Sequence, residues 1–441
     1  MKQNIMKLRN NVWGTVKAFL RSENYKYKLF LIYSLSLLFN GWFFGTVLMA
    51  PDSYSYISAI DTLLNGEPDV LRTPVYPLLL GMMRMIFPVS FVNIAVIFQY
   101  AVFFLSIFYF HKICVFFFRS PVFSFFTTLL YACHPYVALW SSYILTESLA
   151  SSGLVFWLWF LIDYYQKRKY GALSGSLVVT FLLIFHRPSF LYLIPFLLIF
   201  WGYQMYKEKC SVRSWTGLLG TVLCVLCMAV YSSWFSGVYG VRMMSEVSVI
   251  NEYNILRERD LLELDGVSDA FRNDMANFDA VAEKDYFKEY FYLSATYGLP
   301  EMKRVTSQSL KMNYPEYLTK TEKQISVIAK TPLLIHCHEI DTNYFPYRIV
   351  KILSFKVKFG FLYVVLWLSL LVYIVKMVTT KKLPCVSLFV WGLVWANYVV
   401  ILLGAQAEWA RLMMPSYPLI FLLTAQLISC VKIDISKVMF R

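Results

Sequence analysis

Apolar runs long enough to cross a lipid bilayer recur along almost the whole chain, and no other feature restricts its possible folds so severely. A bilayer core takes about 20 consecutive apolar residues of helix, because a backbone inside lipid must satisfy its own hydrogen bonds. Residues 29–49, 91–118, 120–140, 144–165, 172–186, 188–206, 215–236, 359–378, 384–404 and 412–431 approach that length, with 172–186 the shortest. About ten transmembrane helices are therefore predicted. The composition agrees, since 58% of the 441 residues are hydrophobic and 15% charged, against about 25% charged in a typical soluble domain. The mean hydropathy is +0.54. The expected fold class is an all-α polytopic membrane protein.

Charge placement gives a second, independent reading, because loops on the cytoplasmic side carry an excess of Lys and Arg. With the N-terminus inside, the inner segments are 1–28, 111–119, 166–170, 207–213, 376–382 and 432–441. They hold roughly 21 of the 41 basic residues and very few acids. The outer segments are the stretch after the first span, then 134–146, 186–188, 237–356 and 405–411. Apart from 237–356 these are poor in Lys, so the alternation holds through every loop. Four regions follow: an amphipathic inner-surface segment 1–28, an N-terminal transmembrane module 29–236 with a first outer loop 50–90, a helical outer domain 237–356, and a C-terminal transmembrane module 357–441. No cleavable signal peptide is evident.

The formal net charge of +14 lies largely in short loops on one membrane face, so anionic lipid headgroups explain it and nucleic acid is not expected. Of eight cysteines, all but Cys210 and Cys337 fall in or beside spans, and no structural disulfide is expected. Cys224 and Cys227 form a C-x-x-C inside a span, where packing outweighs redox or zinc chemistry. The sequence "HCHEID" (336–341) has metal-binding residue types without the spacing of a zinc motif. Walker A, G-x-S-x-G and H-E-x-x-H motifs are absent, so ATP-driven transport, serine hydrolysis and zincin proteolysis have no support.

The first outer loop reads as two interfacial helices. "PDSYSYISAIDTLLNG" places Tyr56, Ile57, Ile60, Leu63 and Leu64 on one helical face and stops at Gly66. "TPVYPLLLGMMRMIF" is too short to span, and the turn between the two carries Arg72. In the outer domain, "NEYNILRERDLLELDG" should end at Gly266, "SDAFRNDMANF" should be capped by Ser268, and "PEYLTKTEKQISVIAK" should open with Pro315 in its first turn.

The topology delivers one set of polar residues to the outer face: Asp52, Arg72 and Tyr76; His134, Tyr143 and Glu147; His186 and Arg187; Glu408 and Arg411. An ionised side chain costs about 2.5 kcal/mol or more at the bilayer centre, so such groups face a bundle interior or a wet cavity. Asp52 and Glu147 have the chemistry of a general base or of hard oxygen ligands to a divalent cation. Arg72, Arg187 and Arg411 offer planar forks suited to phosphate. Acids and arginines in a membrane cavity suit a substrate that is both lipid and phosphate, such as a polyprenyl-phosphate sugar. His134 and His186 alone suggest an O-acyltransferase, but each sits beside a proline at a span end, which favours a local structural role.

The ordered segments "PDSYSYISAIDTLLNG", "RTPVYPLLLG", "HPYVALWSSYILTESLASSGLVFWLWFL", "HRPSFLYLIP" and "AEWARLMMPSYPLIFLL" resemble the polytopic GT-C glycosyltransferases of the protein-mannosyltransferase and aminoarabinose-transferase type. The resemblance covers about 1–206 and 384–431 and leaves 237–356 unmatched. It implies a GT-C-like layout and inverting transfer of a sugar from a polyprenyl-phosphate donor to a glycan, lipid or protein acceptor, on the outer face of a bacterial cytoplasmic membrane. Asp52 falls where such enzymes carry the general base, and Glu147 where they carry an acid that orients the base, contacts the acceptor or binds metal. Arg72, Arg187 and Arg411 would hold the donor phosphate, with Tyr56, Tyr76, His186 and Glu408 lining the substrate site. Asp52 is followed by Ser53 where many relatives carry a second acid. A divalent metal ion therefore stays an open possibility, with Asp52 and Glu147 as its ligands if one takes part. A lipid-glycan flippase and a glycan polymerase or ligase are the competing expectations.

Overall fold

In a computed structural model the described residues are 25–40, 46–118, 120–280, 285–333, 356–405 and 408–430, with Gly14, Ala18, Phe19, Arg348 and Ile352. The amphipathic segment 1–28 falls almost wholly outside them, and "HCHEID", Cys337 and 432–441 do so entirely. Among the described residues the chain is 81% helix and has no strands. Six helices are long and apolar enough to cross a membrane: Phe91–Phe117, Pro188–Lys207, Val212–Tyr239, Phe359–Thr380, Cys385–Gly404 and Trp409–Cys430. They coincide with six of the expected spans and mark a helical membrane protein.

The other four expected spans depart from a simple spanning helix, each for a physical reason. Helix Tyr25–Asn40 has 16 residues, and the described end of that run, 46–50, is extended rather than helical. The run 120–140 is broken into Pro121–Ala132 and Pro135–Trp140, because the residue before Pro135 is pushed out of the helical region. Helix Tyr170–His186 stops at 17 residues for the same reason, with Arg187 extended ahead of Pro188. Helix Glu147–Lys167 has 21 residues, of which 13 are buried, and its first two turns carry Ser148, Ser151 and Ser152 on buried positions. It is the central helix of the bundle, packed against Phe91–Phe117, Tyr170–His186 and Met414–Ser416. An interior helix meets protein rather than lipid, so its hydropathy falls below that of its neighbours.

Helix Val212–Tyr239 shows the opposite pattern. Trp215, Leu219, Leu223, Leu226 and Val230 are exposed along one stripe, while Ser214, Gly217, Thr221 and Cys224 face inward. Apolar side chains outward and small residues inward is the pattern of a helix facing lipid and packing closely on its neighbours. A Cβ at Gly217 would lie 2.5–2.6 Å from the ring of Trp201, whose side chain is fully buried. Gly217→Ala is therefore expected to destabilise the protein by about 1–3 kcal/mol through overpacking. Thermal unfolding in detergent measures this, and an unchanged midpoint would mean that the indole swings aside freely.

The region between the two transmembrane modules has cores of its own, built from helices Val247–Glu258, Asp269–Asp279, Tyr286–Tyr297, Leu299–Met312 and Tyr314–Ile328. Ser268 caps its helix as expected, accepting from the Phe271 amide, and Pro315 lies in the first turn of the last helix. Helix Val247–Glu258 ends well before Gly266, which sits instead at the turn into Ser268, with φ +73°. All seven described cysteines are free thiols.

Candidate active site: an acid–arginine cluster at one end of the bundle

Asp52 and Glu147 are brought together by a short piece of extended backbone. The Leu48 amide donates to the Ser142 carbonyl at 3.0 Å, and the Ile144 amide to the Leu48 carbonyl at 3.2 Å, so Leu48 and Tyr143 pair in parallel. Each segment then enters a helix after the same number of residues, with Asp52 four beyond Leu48 and Glu147 four beyond Tyr143. Both carboxylates thus start helices side by side, at Pro51–Leu64 and Glu147–Lys167, where the helix dipoles favour negative charge. Gln99 holds the second segment in place. Its Nε2 donates to the Ser141 and Tyr143 carbonyls at 2.9 and 2.8 Å, and its Oε1 accepts from the Tyr76 hydroxyl at 3.0 Å.

Arg411 sits between the two acids. Helix Trp409–Met413 starts at Glu408, held at φ +59°, and runs into the Pro-containing turn Met414–Ser416. Every guanidinium nitrogen of Arg411 reaches a carboxylate: Nε to Glu147 Oε1 at 2.7 Å, Nη2 to Asp52 Oδ2 at 2.6 Å and Nη1 to Glu408 Oε2 at 2.9 Å. Arg187 lies on the other side of Glu147, its Nη1 3.4 Å from Oε1. That nitrogen makes no hydrogen bond, and neither does Glu147 Oε2. His186 donates Nε2–H to the Thr146 carbonyl at 2.9 Å, and Tyr76 packs edge-on against both His186 and Tyr56.

Arg72 completes the cluster from the turn between helices Pro51–Leu64 and Val75–Ile86. Its Nη2 donates to Asp52 Oδ1 at 2.7 Å, its Nε to the Ser55 hydroxyl at 2.7 Å, and its guanidinium lies 4.3 Å above the Tyr56 ring. The turn that aims it is built by Asp69, whose Oδ1 accepts from the Leu71 and Arg72 amides at 3.0 and 2.7 Å. Residues after helix Val212–Tyr239 and at its end clamp the same turn. The Glu246 amide donates to the Val70 carbonyl and the Tyr239 hydroxyl to the Pro68 carbonyl, each at 2.8 Å, while Val70 and Leu71 pack on the core around Phe235 and Val249. Leu71→Ala with Tyr239→Phe is expected to weaken this clamp by about 2–4 kcal/mol and to speed amide exchange at residues 69–73. Unchanged exchange there would mean that Asp69 alone holds the turn.

All nine expected site residues therefore stand in one connected group, but not in equivalent roles. Asp52 is 37% exposed and Glu408 58%, whereas Glu147 is 0% exposed and Arg72, Arg187 and Arg411 are 11–12% exposed. Asp52 and Glu408 are thus the carboxylates a bound molecule reaches. Glu147 is sealed behind the arginines, and Tyr76 is fully buried. Burial alone would raise the Asp52 carboxyl, but Arg411 and then Arg72 outweigh it and hold it below the ordinary carboxylate range. Asp52 is accordingly ionised at neutral pH.

The donor set does not fit a divalent cation. The space between Asp52 and Glu147 is filled by the Arg411 guanidinium, and among the described residues no three His, Cys, Asp or Glu side chains form a group that could hold a metal ion. Asp61, nine residues after Asp52, pairs with Arg84 on an exposed surface instead.

Three contributors were not singled out from the sequence: Asp69, Ser55 and Gln99. Asp69 had a legible signal, an Asp three residues before Arg in "EPDVLRTP", the pattern of a side chain that caps a turn. Gln99 had another, a lone amide inside an otherwise apolar span. No protein-family model matches the chain, and no curated protein matches it.

Proposed function

We propose that the chain is a membrane-embedded glycosyltransferase that takes a sugar from a polyprenyl-phosphate donor. In this reading about ten helices cross a bacterial cytoplasmic membrane in a GT-C-like layout, with the acid–arginine cluster on the outer face. The observation that carries it is a half-exposed, ionised Asp52 clasped by two arginines on otherwise sealed supports. A base and a phosphate-binding fork stand within one hydrogen bond of each other, as displacement of a phosphate at a sugar carbon requires.

The reaction follows from that geometry. The donor phosphate takes over guanidinium N–H groups of Arg72 and Arg411 that Asp52 accepts in the free protein. Asp52 then removes the proton from the acceptor nucleophile as its bond to the anomeric carbon forms and the bond from that carbon to the phosphate oxygen breaks. The configuration inverts, and the charge left on the polyprenyl phosphate is met by preorganised guanidiniums. Glu147 is a positioning residue that holds Arg411 and Arg187, and Glu408 lines the approach beside Arg411.

Proteoliposomes carrying a labelled polyprenyl-phosphate sugar and envelope acceptors test the reading. Label is expected in a new glycosidic bond, with free polyprenyl phosphate released in equal amount. Labelled lipid crossing the bilayer without bond formation would overturn it in favour of a flippase, and a ladder of products would identify a polymerase.

A further inference from the structure

The opposite end of the bundle holds a second cleft that the proposed chemistry does not use. Helix Glu147–Lys167 separates the two ends, and Tyr165 lies about 27 Å along it from Glu147 at 1.5 Å per residue. There a cavity of about 450 Å³ opens at the seam between the N-terminal and C-terminal modules, lined by Tyr165, Tyr203, Lys376, Cys385, Ser387 and Gln426 among others. Its volume is in the range that small-molecule sites occupy.

The charge around it is one-sided. Asp163 is paired with Lys167 at 2.5 Å and Glu208 with Arg168 at 2.7 Å, which leaves no acid to meet Lys376 among the described residues. Lys207 stands 4.6 Å over the Tyr165 ring, and Lys381 and Lys382 follow on the next turn. Helix Cys385–Gly404 also begins on the cleft, presenting the positive end of its dipole. On the flanks Ile199, Met377, Val378 and Leu383 expose apolar side chains, a surface for acyl chains running alongside.

We propose that this cleft binds the phosphate headgroup of an anionic phospholipid, with Lys376 as its counter-charge, Tyr165, Tyr203 and Ser387 as neutral hydroxyl donors, and the acyl chains on the adjoining apolar helices. A basic pocket between membrane helices is a recognised form of lipid-specific site. The occupant is a lipid rather than a free anion because cleft and apolar flank are continuous at Leu383 and Cys385.

Two exposed native cysteines allow a test on the full chain. Cys385 lines the cleft and Cys210 lies outside it at the same end, so maleimide labelling of each can be followed by peptide mass spectrometry. In phosphatidylglycerol vesicles, compared with phosphatidylcholine, Cys385 labelling is expected to slow about fivefold relative to Cys210. Lys376→Ala and Lys376→Gln should remove that difference, and Lys381→Ala should keep it. Equal Cys385 to Cys210 ratios in the two lipids would overturn the proposal. So would a Lys381→Ala effect as large as that of Lys376→Ala, which would indicate diffuse surface charge. Equal protection by millimolar inorganic phosphate in phosphatidylcholine would overturn the lipid assignment in favour of a free-anion site.

Discussion

Arg411→Ala is expected to destabilise the protein by about 3–5 kcal/mol, the typical cost of stripping the partner from a buried charge. Glu147 has no exposed surface, and its Oε2 is without a hydrogen-bond partner. With Arg411 gone, its remaining counter-charge is Arg187 at 3.4 Å, while Asp52 and Glu408 lose a shared guanidinium. Arg411→Lys should recover only part of the loss, because an ammonium is a single point charge and cannot span three carboxylates in one plane. The diagnostic variant is Arg411→Met with Glu147→Gln. Removing both charges should restore more than half of the lost stability if burial of an unpaired Glu147 is the cause. Thermal unfolding in detergent reads all three variants, and an Arg411→Ala protein that melts with the wild type would refute the account.

The same cluster shows what a sequence alone conveys about such a protein. Lipid imposes long apolar runs, so six of the expected spans were legible as helices long and apolar enough to cross a membrane, whereas Glu147–Lys167, with its serine-rich start, falls below them in hydropathy. Lys and Arg alternate from loop to loop, so the grouping of Asp52, Arg72, Arg187 and Arg411 at one end of the bundle was legible too, although they lie as much as 359 residues apart. Hydropathy does not distinguish an apolar helix from an apolar extended segment, which is why 46–50 reads as the end of a span. Yet that extended piece sets the register of Asp52 against Glu147. The roles within the cluster were equally hidden. Burial separates a reachable Asp52 from a sealed Glu147, and burial depends on Arg411 arriving from the far end of the chain. The region 237–356 matched no known family motif, and its bearing on the site lies in two backbone carbonyls, at Pro68 and Val70, that no side-chain pattern announces.

Asp52→Asn is expected to lower kcat for sugar transfer by about 10²–10⁴-fold, the usual contribution of a positioned general base, while the protein stays folded because the side chain is partly exposed. Its effect on donor binding should run the other way. In the free protein Asp52 competes with any phosphate for Arg72 and Arg411, so removing its charge should leave the donor KM unchanged or lower. A variant that keeps kcat and raises KM would show that Asp52 only positions the arginines. The pH profile separates the two roles further. Before donor binds, the arginines hold Asp52 below the ordinary carboxylate range, so it stays ionised, and kcat/KM stays level, down through that range as the pH falls. Once a donor phosphate has drawn the guanidiniums away and added its own negative charge, the carboxyl rises and becomes a stronger base. The acid limb of kcat, which reports the bound complex, should therefore lie at higher pH than the acid limb of kcat/KM. Coincident limbs would mean that the arginines never leave Asp52, and that the proton is taken by another group.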